Sequence, residues 1–353
     1  MPELKDPNSP SSAQDRNFAV IGVGGYIAPR HLNAIKANGS RVVAALDKTD
    51  SVGILDSFFP DAEFFTEFER FDRHVEKLRR MGEDSRIHYV SICSPNYLHD
   101  AHIRFALRIH AHPICEKPLV INPWNIDPLE ELETDYGEKI FCVLQLRLHS
   151  ALIKLKEQIQ KEPASQRHVI DMTYITSRGR WYFSSWKGDP EKSGGIAINI
   201  GIHFFDMLMW IFGDVRYHEL HYSDPARMAG FLRLEKADVR WFLSVNRTDL
   251  PEHVAGPTYR SISVDGQEIE FSGKFTDLHT LAYREILSGR GFGINEVRPS
   301  INLVHVLRYS AVHQADDVHR HPLLDSPSIR RSRANGACTA SARREEEAIR
   351  GHR

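Results

Sequence analysis

The stretch VIGVGGYIAPRH sets three glycines, Gly22, Gly24 and Gly25, between a buried-strand run, NFAVIGV, and a helical pattern, APRHLNAIKANG. Pro29 stands near the start of that helix and Gly39 at its end, the positions each residue favours. Glycines at such a junction let the backbone approach a pyrophosphate, whose charge the helix N-terminus stabilises. The loop alone is weak, because tight strand-to-helix turns also need glycine for steric reasons, and the third fingerprint position is Ile27. Its context is stronger. A second strand pattern, RVVAALD, ends on Asp47, 25 residues after Gly22. An acid there hydrogen-bonds adenosine ribose hydroxyls and repels a 2'-phosphate, so a dinucleotide is expected, NAD before NADP. Tyr26 and Ile27, inside the loop, join the cofactor candidates.

Strand and helix patterns continue to alternate over residues 17–146: HYVSIC, HPIC and KIFCVLQL read as strands, and NPWNIDPLEELETDYG as a helix opened by Asn122 and closed near Gly137. This alternation predicts an α/β domain with a doubly wound parallel sheet. Over residues 147–314 the character changes. After one helical pattern, SALIKLKEQIQKE, strand runs follow one another: HVIDMTYITSR, MAGFLRLEK, VRWFLSVN, TYRSISV and QEIEFSG. The last two are joined by Asp265-Gly266, a two-residue hairpin signal. An α+β domain with an open, mainly antiparallel sheet is expected. Residues 1–16 are polar and Pro/Ser-rich, and read as a disordered tail. Residues 315–353 lose apolar periodicity and read as a loose tail, as a late divergence or an altered reading frame would also look.

With 353 residues, 41% apolar and 26% charged, the chain has room for two cores. A net charge of −2 argues against nucleic acid or an anionic membrane held by bulk electrostatics. Of four cysteines, Cys93, Cys115 and Cys142 sit in apolar runs, and none, Cys338 included, has metal-ligand spacing. No apolar stretch is expected to reach the roughly 18 residues of a membrane helix, and the start lacks a signal-peptide hydrophobic region. A cytoplasmic protein is expected.

Four further stretches carry chemistry. SICSPNYLHDAH brings Ser94, Pro95 and Asn96 to the end of a strand, where ligands bind in open α/β sheets; helix entry explains Pro95 equally well. ICEKPLV interrupts apolar runs with Glu116 and Lys117 before Pro118, which a surface turn would also explain. SGGIAINIGIHFFDMLMWIFG places Asn199 and His203 four apart, on one face of an apolar helix, after Gly194-Gly195. A satisfied core histidine is the plain alternative, and no zinc spacing accompanies it. TSRGRWYFSSWKGDP interleaves Arg178, Arg180 and Lys187 with Trp181, Tyr182 and Trp186, which suits a compact anionic ligand or else a solvated loop.

In this order, GVGGYIAPRH, SPNYLH, CEKPLV and GG…NIGIHFFD resemble the glucose-fructose oxidoreductase/inositol dehydrogenase (Gfo/Idh/MocA) family, over residues 17 to about 310. DSVGILDS, TYITSRGRWYFSSWKGDP, RWFLSV and FTDLHT are similar to its bacterial UDP-N-acetyl-2-amino-2-deoxyglucuronate dehydrogenases. The resemblance implies a Rossmann domain, an open-sheet second domain and a nicotinamide cofactor between them. By position it makes Glu116, Lys117, His99, Gln145, Trp186 and Lys187 cofactor contacts, and Arg147, Arg178, Asn199 and His203 substrate contacts. Lys117, His203 and Asn199 become the catalytic candidates, with no metal. Where the broader family has Asp four before the histidine, this chain has Asn199, as that branch does.

The implied activity is NAD-dependent oxidation of the 3'-hydroxyl of UDP-N-acetyl-2-amino-2-deoxy-D-glucuronate in surface polysaccharide (lipopolysaccharide O-antigen) biosynthesis. A UDP-sugar is the expected partner, 2-oxoglutarate a candidate hydride acceptor, and a homotetramer the expected assembly. The alternatives are an inositol-type sugar or polyol dehydrogenase, and a non-catalytic NAD-sensing regulator of the same fold.

Overall fold

The computed structural model describes residues 16–50, 52–269, 277–327 and 329. The expected tails at residues 1–15 and 330–353 lie outside the described residues.

Six parallel strands form the first sheet: β1 Asn17–Ile21, β2 Arg41–Leu46, β3 Glu63–Phe65, β4 Tyr89–Ile92, β5 His112–Cys115 and β6 Phe141–Cys142. Their order is β3-β2-β1-β4-β5-β6, so the sheet reverses direction between β1 and β4. That reversal opens a crevice at the carboxyl ends of the strands, the place where such sheets bind ligands. The strands are short apolar runs because both faces are covered by helices. KIFCVLQL yields only two paired residues before turning into a short helix, Gln145–Leu148.

The second sheet follows the order β12-β11-β7-β10-β9-β8, with β7 His168–Thr176, β8 Val215–Asp224, β9 Arg227–Leu234, β10 Ala237–Ser244, β11 Thr258–Val264 and β12 Gln267–Glu268. Only β7 and β10 pair in parallel; the other pairs are antiparallel. Asp265 and Gly266 both take positive φ (52° and 80°), closing the β11-β12 hairpin as its sequence requires. Alternate residues of β10 (Val239, Trp241, Leu243) face an apolar cluster shared with helix Ile202–Phe212. That helix continues a helical stretch, Pro190–Phe212, which has the length and apolarity of a membrane span, contrary to the sequence expectation. Its best window is 72% buried inside the protein, as suits a core helix.

Two segments depart from the sequence reading. Helix Leu278–Leu287, expected in the second domain, packs back on the first: Ala282, Tyr283 and Ile286 share a cluster with Phe18, Val20, Leu32 and Ile35. The described residues from Ala315 onward are not a loose tail. His321, Leu324 and Ile329 are buried, the last two in a cluster with Ile175, Tyr222 and Phe242 on the outer face of the second sheet. Their apolar residues are too few and too irregularly spaced to show a period, yet they cover that face.

Candidate active site

The glycine loop crosses the end of β4. Gly22 has φ 86°, and a Cβ on it would come within 2.7 Å of the Cys93–Ser94 backbone. Gly22 is therefore demanded by its own chain, whatever ligand lies above. The loop leads into helix Ala28–Ala37, whose first turn carries no acidic side chain, so its positive end is free for an anion. Asp47 lies beside this loop: Oδ2 accepts from the Gly24 N–H at 2.9 Å, and Oδ1 accepts from Thr49. Tyr26 is exposed at the loop tip. The cradle and the carboxylate beside it fit a dinucleotide without a 2'-phosphate. Replacing Asp47 with Ser is expected to narrow the NAD/NADP preference, measured as the ratio of the two kcat/KM values. Equal use of both cofactors by the parent protein would defeat this assignment.

The loop after β4 is tied down by buried side chains. Ser94 Oγ lies 2.8 Å from His102 Nδ1, and the Asn96 amide donates to the Ser193 carbonyl at 2.9 Å. His99 does not face the cleft as a ligand would. It is fully buried, with its ring nitrogens 2.7 Å from the Pro118 carbonyl and 2.9 Å from that of Ser94. This residue pins two site loops together.

β5 ends at Cys115 and delivers Glu116 and Lys117 to the crevice; the Lys117–Pro118 peptide is cis. Lys117 Nζ reaches across to the second domain and donates to the Asn199 carbonyl at 3.0 Å. Asn199 lies in a π-helical turn, Ala197–Gly201, a rare widening that occurs mostly at functional sites. Its amide donates to the Tyr182 hydroxyl at 2.8 Å. His203 follows one turn later, edge-on to Tyr174 at 5.9 Å, with Nδ1 buried and without a partner among the described residues. A small cavity is lined by Lys117, Pro118, Cys142 and His203 together. A larger one, about 490 Å³ between Phe68, His102, Phe105 and Tyr136, touches none of the candidates.

Charge gathers here. Burial pushes the His203 imidazole well below its ordinary pKa, and Lys117 and Arg260 push it the same way. Burial also lowers the Lys117 ammonium, while Glu116 raises it and Arg178 lowers it. Lys187, its ammonium 4.1 Å over the Trp186 ring, is lowered to about 8 by burial, Arg178 and Lys117. Lys117 and Arg260 thus act on His203, and Arg178 and Lys187 on Lys117, a set of cations suited to a ligand with several negative charges. Arg260, on β11, carried no sequence signal; its guanidinium stacks 5.5 Å from the Tyr174 ring. Gln145 stands at the start of the short helix after β6, with its side-chain oxygen buried and unpaired among the described residues.

Arg147 departs from expectation. Its guanidinium makes a two-point ion pair with the buried Asp206 (2.9 and 2.7 Å) and donates to the Glu296 carbonyl. It braces three elements rather than facing a substrate. Asp206, spent on Arg147, leaves His203 without a carboxylate partner among its described neighbours.

Comparison with known proteins agrees with this geometry. Residues 16–143 match the oxidoreductase family with an NAD-binding Rossmann fold, and residues 168–243 match that family's C-terminal alpha/beta domain. The WlbA (WbpB) dehydrogenase of Thermus thermophilus, solved with NAD and alpha-ketoglutarate, is 49% identical at a TM-score of 0.84, over 88% of this chain and all of that one. Its structure with NAD and UDP-GlcNAcA superposes with a TM-score of 0.83 at 48% identity, with the same coverage. The D-glucoside 3-dehydrogenase of Escherichia coli (strain K12) is 27% identical over 124 residues, so the chain spans 35% of that curated relative. Both domains, their order and the match over 88% of this chain make it an NAD-dependent dehydrogenase of the Gfo/Idh/MocA oxidoreductase family.

Proposed function

We propose that the protein oxidises the 3'-hydroxyl of UDP-N-acetyl-2-amino-2-deoxy-D-glucuronate to the 3-keto sugar nucleotide, with NAD as hydride acceptor. The observation that carries this reading is the set of cations at the site, Lys117 and Arg260 acting on His203 and Arg178 and Lys187 acting on Lys117. A pyrophosphate and a uronate carboxylate together supply the charges such a set of cations calls for. The likeness to the Thermus enzyme, crystallised with UDP-GlcNAcA, supports the same choice. A neutral polyol such as inositol brings no negative charge to meet these cations.

When bound, NAD supplies the hydride acceptor. The chain's own residues handle the proton and the charge. His203, neutral because burial disfavours its cation, accepts the hydroxyl proton. Lys117 donates a hydrogen bond to the reacting oxygen and stabilises its developing negative charge. Asn199 and Tyr182 hold the π-helical turn that faces Lys117. Glycine loop and Asp47 would hold the adenosine half, with Ser94, Pro95, Asn96, Gln145, Trp186 and Lys187 along the remainder.

In this reading the protein works in the cytoplasm, as a homotetramer, in surface polysaccharide (O-antigen) biosynthesis. Three buried free cysteines, Cys93, Cys115 and Cys142, suit a reducing compartment. The Thermus enzyme's structure with alpha-ketoglutarate supports 2-oxoglutarate as the acceptor that returns the cofactor to its oxidised form. NADH absorbance with the UDP-uronate, with inositol and with no substrate tests the reading. Turnover is expected with the UDP-uronate and not with inositol. The opposite preference would make the protein a polyol dehydrogenase, and no turnover with either would favour a regulator.

A further inference from the structure

Behind Lys117 lies a buried network that the reaction above leaves unused. Glu116 is 6% exposed, and its Oε1 lies 2.9 Å from His31 Nε2 and 3.1 Å from His279 Nε2. Its Oε2 accepts from the Lys117 backbone N–H at 3.2 Å. His31 Nδ1 is 2.7 Å from the Tyr283 hydroxyl, which is 2.6 Å from Ser91 Oγ. One assignment of hydrogens satisfies this whole chain: Ser91 donates to Tyr283, Tyr283 to His31 Nδ1, and His31 Nε2–H to Glu116. His279 donates its own Nε2–H to the same carboxylate oxygen. Both imidazoles can then be neutral, and burial pushes His31 in that direction. The network brings Glu116 three hydrogen-bond donors: His31, His279 and the Lys117 backbone N–H. Burial alone would raise the Glu116 carboxyl, yet the bonds from His279 and His31 outweigh it and hold it well below the usual range.

A buried carboxylate favours a cation near it. Lys117 is the next residue, its backbone N–H bonded to Glu116 Oε2, and Glu116 raises the pKa of its ammonium. We propose that His31, His279 and Tyr283 are positioning residues, which lock Glu116 as the fixed counter-charge that keeps the Lys117 ammonium protonated at the reacting oxygen. Their helices make the placement rigid. His31 is on Ala28–Ala37, the helix that starts at the glycine loop, and His279 and Tyr283 are on Leu278–Leu287, which packs back onto the first domain. This return gives the late helix a task in the site as well as in the core.

The charged and titratable groups facing the pair are few. Around Glu116 they are His31, His279, Lys117, His99, Tyr283 and the thiols of Cys93, Cys115 and Cys142. Around Lys117 they are Glu116, Arg178, Lys187, His203 and Cys142. Glu116 is the one permanent anion among them, so its loss leaves Lys117 with cations and neutral groups. The sign follows: without Glu116 the Lys117 pKa falls, and the loss of rate on the alkaline side sets in at lower pH.

The inference rests on the proposed role of Lys117, and the test separates the two. It uses the full-length protein with NAD and the UDP-uronate, reading kcat from about pH 6 to about pH 10, with NADH affinity and Tm alongside. In E116Q the alkaline limb is expected to move down by about one pH unit or more, with kcat on that limb falling by roughly tenfold at a given pH. H279L should move it the same way by less. H279Q, whose amide N–H can occupy the place of Nε2–H, should restore most of it. If E116Q does not fold, the H279L and H279Q pair decides alone. Variants that lower kcat by one factor at every pH, or lower only Tm, would overturn the inference and leave the trio structural. Activity lost to EDTA and regained with zinc would also overturn it, since the three groups lie close enough to grip an ion. Parent-like turnover by K117M would instead defeat the Lys117 reading itself.

Discussion

Replacing Lys117 with Met or His203 with Asn is expected to cut kcat by roughly 10²-fold or more, with the Kd for NAD changed by no more than a few-fold. The two residues come from different domains and meet at one place: Lys117 Nζ bonds the Asn199 carbonyl at 3.0 Å, and His203 follows on the same helical stretch. Neither is needed to hold the glycine loop or Asp47, so cofactor affinity is separable from chemistry. His203 also sets the acid side of the pH profile. Its pKa is pushed well below the ordinary value by burial, then by Lys117 and Arg260. The neutral, proton-accepting form therefore persists as the pH falls, and kcat should decline only below the ordinary histidine range near pH 6.5. In H203N that acid limb should disappear along with most of the rate. Stopped-flow and steady-state NADH absorbance would check both points. Parent-like turnover by both variants would remove Lys117 and His203 from the chemistry.

What could be read from the sequence was what local pattern encodes. The strand, glycine turn and helix around Gly22 are adjacent in the chain, and Asp265-Gly266 specifies its hairpin by backbone preference alone. Lys117 and His203 stand out in the sequence as chemistry-bearing residue types set against apolar neighbours. The partners were not legible. Glu116 meets His31 across 85 residues and His279 across 163, distances over which no period or spacing survives. Arg147 sits beside cofactor candidates in sequence, yet a buried carboxylate 59 residues on takes its guanidinium. The π-helical turn at Ala197–Gly201 is equally hidden, because its sequence reads as a continuous apolar helix. Arg260 lies in an ordinary strand pattern, and only the pairing of β11 with β7 brings it to Tyr174 and the site. Sequence order alone does not say which core a helix covers, and Leu278–Leu287 falls within residues 147–314 yet packs on the first sheet.

A chain ending at Gln314 is expected to melt at least several degrees below the full chain, because the segment it lacks covers the outer face of the second sheet. Leu324 is 2% exposed and Ile329 fully buried, against Ile175, Tyr222 and Phe242. Burying two such side chains contributes about 3 to 6 kcal/mol, a large share of the roughly 5–15 kcal/mol by which domains are stable. His321 adds a stacked contact to Phe242 at 5.6 Å and a hydrogen bond between its Nε2 and Thr173 Oγ1 at 3.1 Å. His319 lies flat on Phe231, ring centroids 3.9 Å apart. The lost stability should depend on pH, with a sign set by His321. Burial lowers its pKa to about 4, against 6.5 unfolded. Between those values the unfolded chain binds a proton that the folded one refuses, so acidification costs stability from about pH 6.5 down to about 4. The truncated chain lacks that residue and escapes the cost. The gap in Tm between the two chains should therefore be widest above pH 6.5 and narrow on acidification. Calorimetry at neutral pH and near pH 5 tests both halves of the argument. Equal melting at neutral pH would show that the outer face needs no such cover.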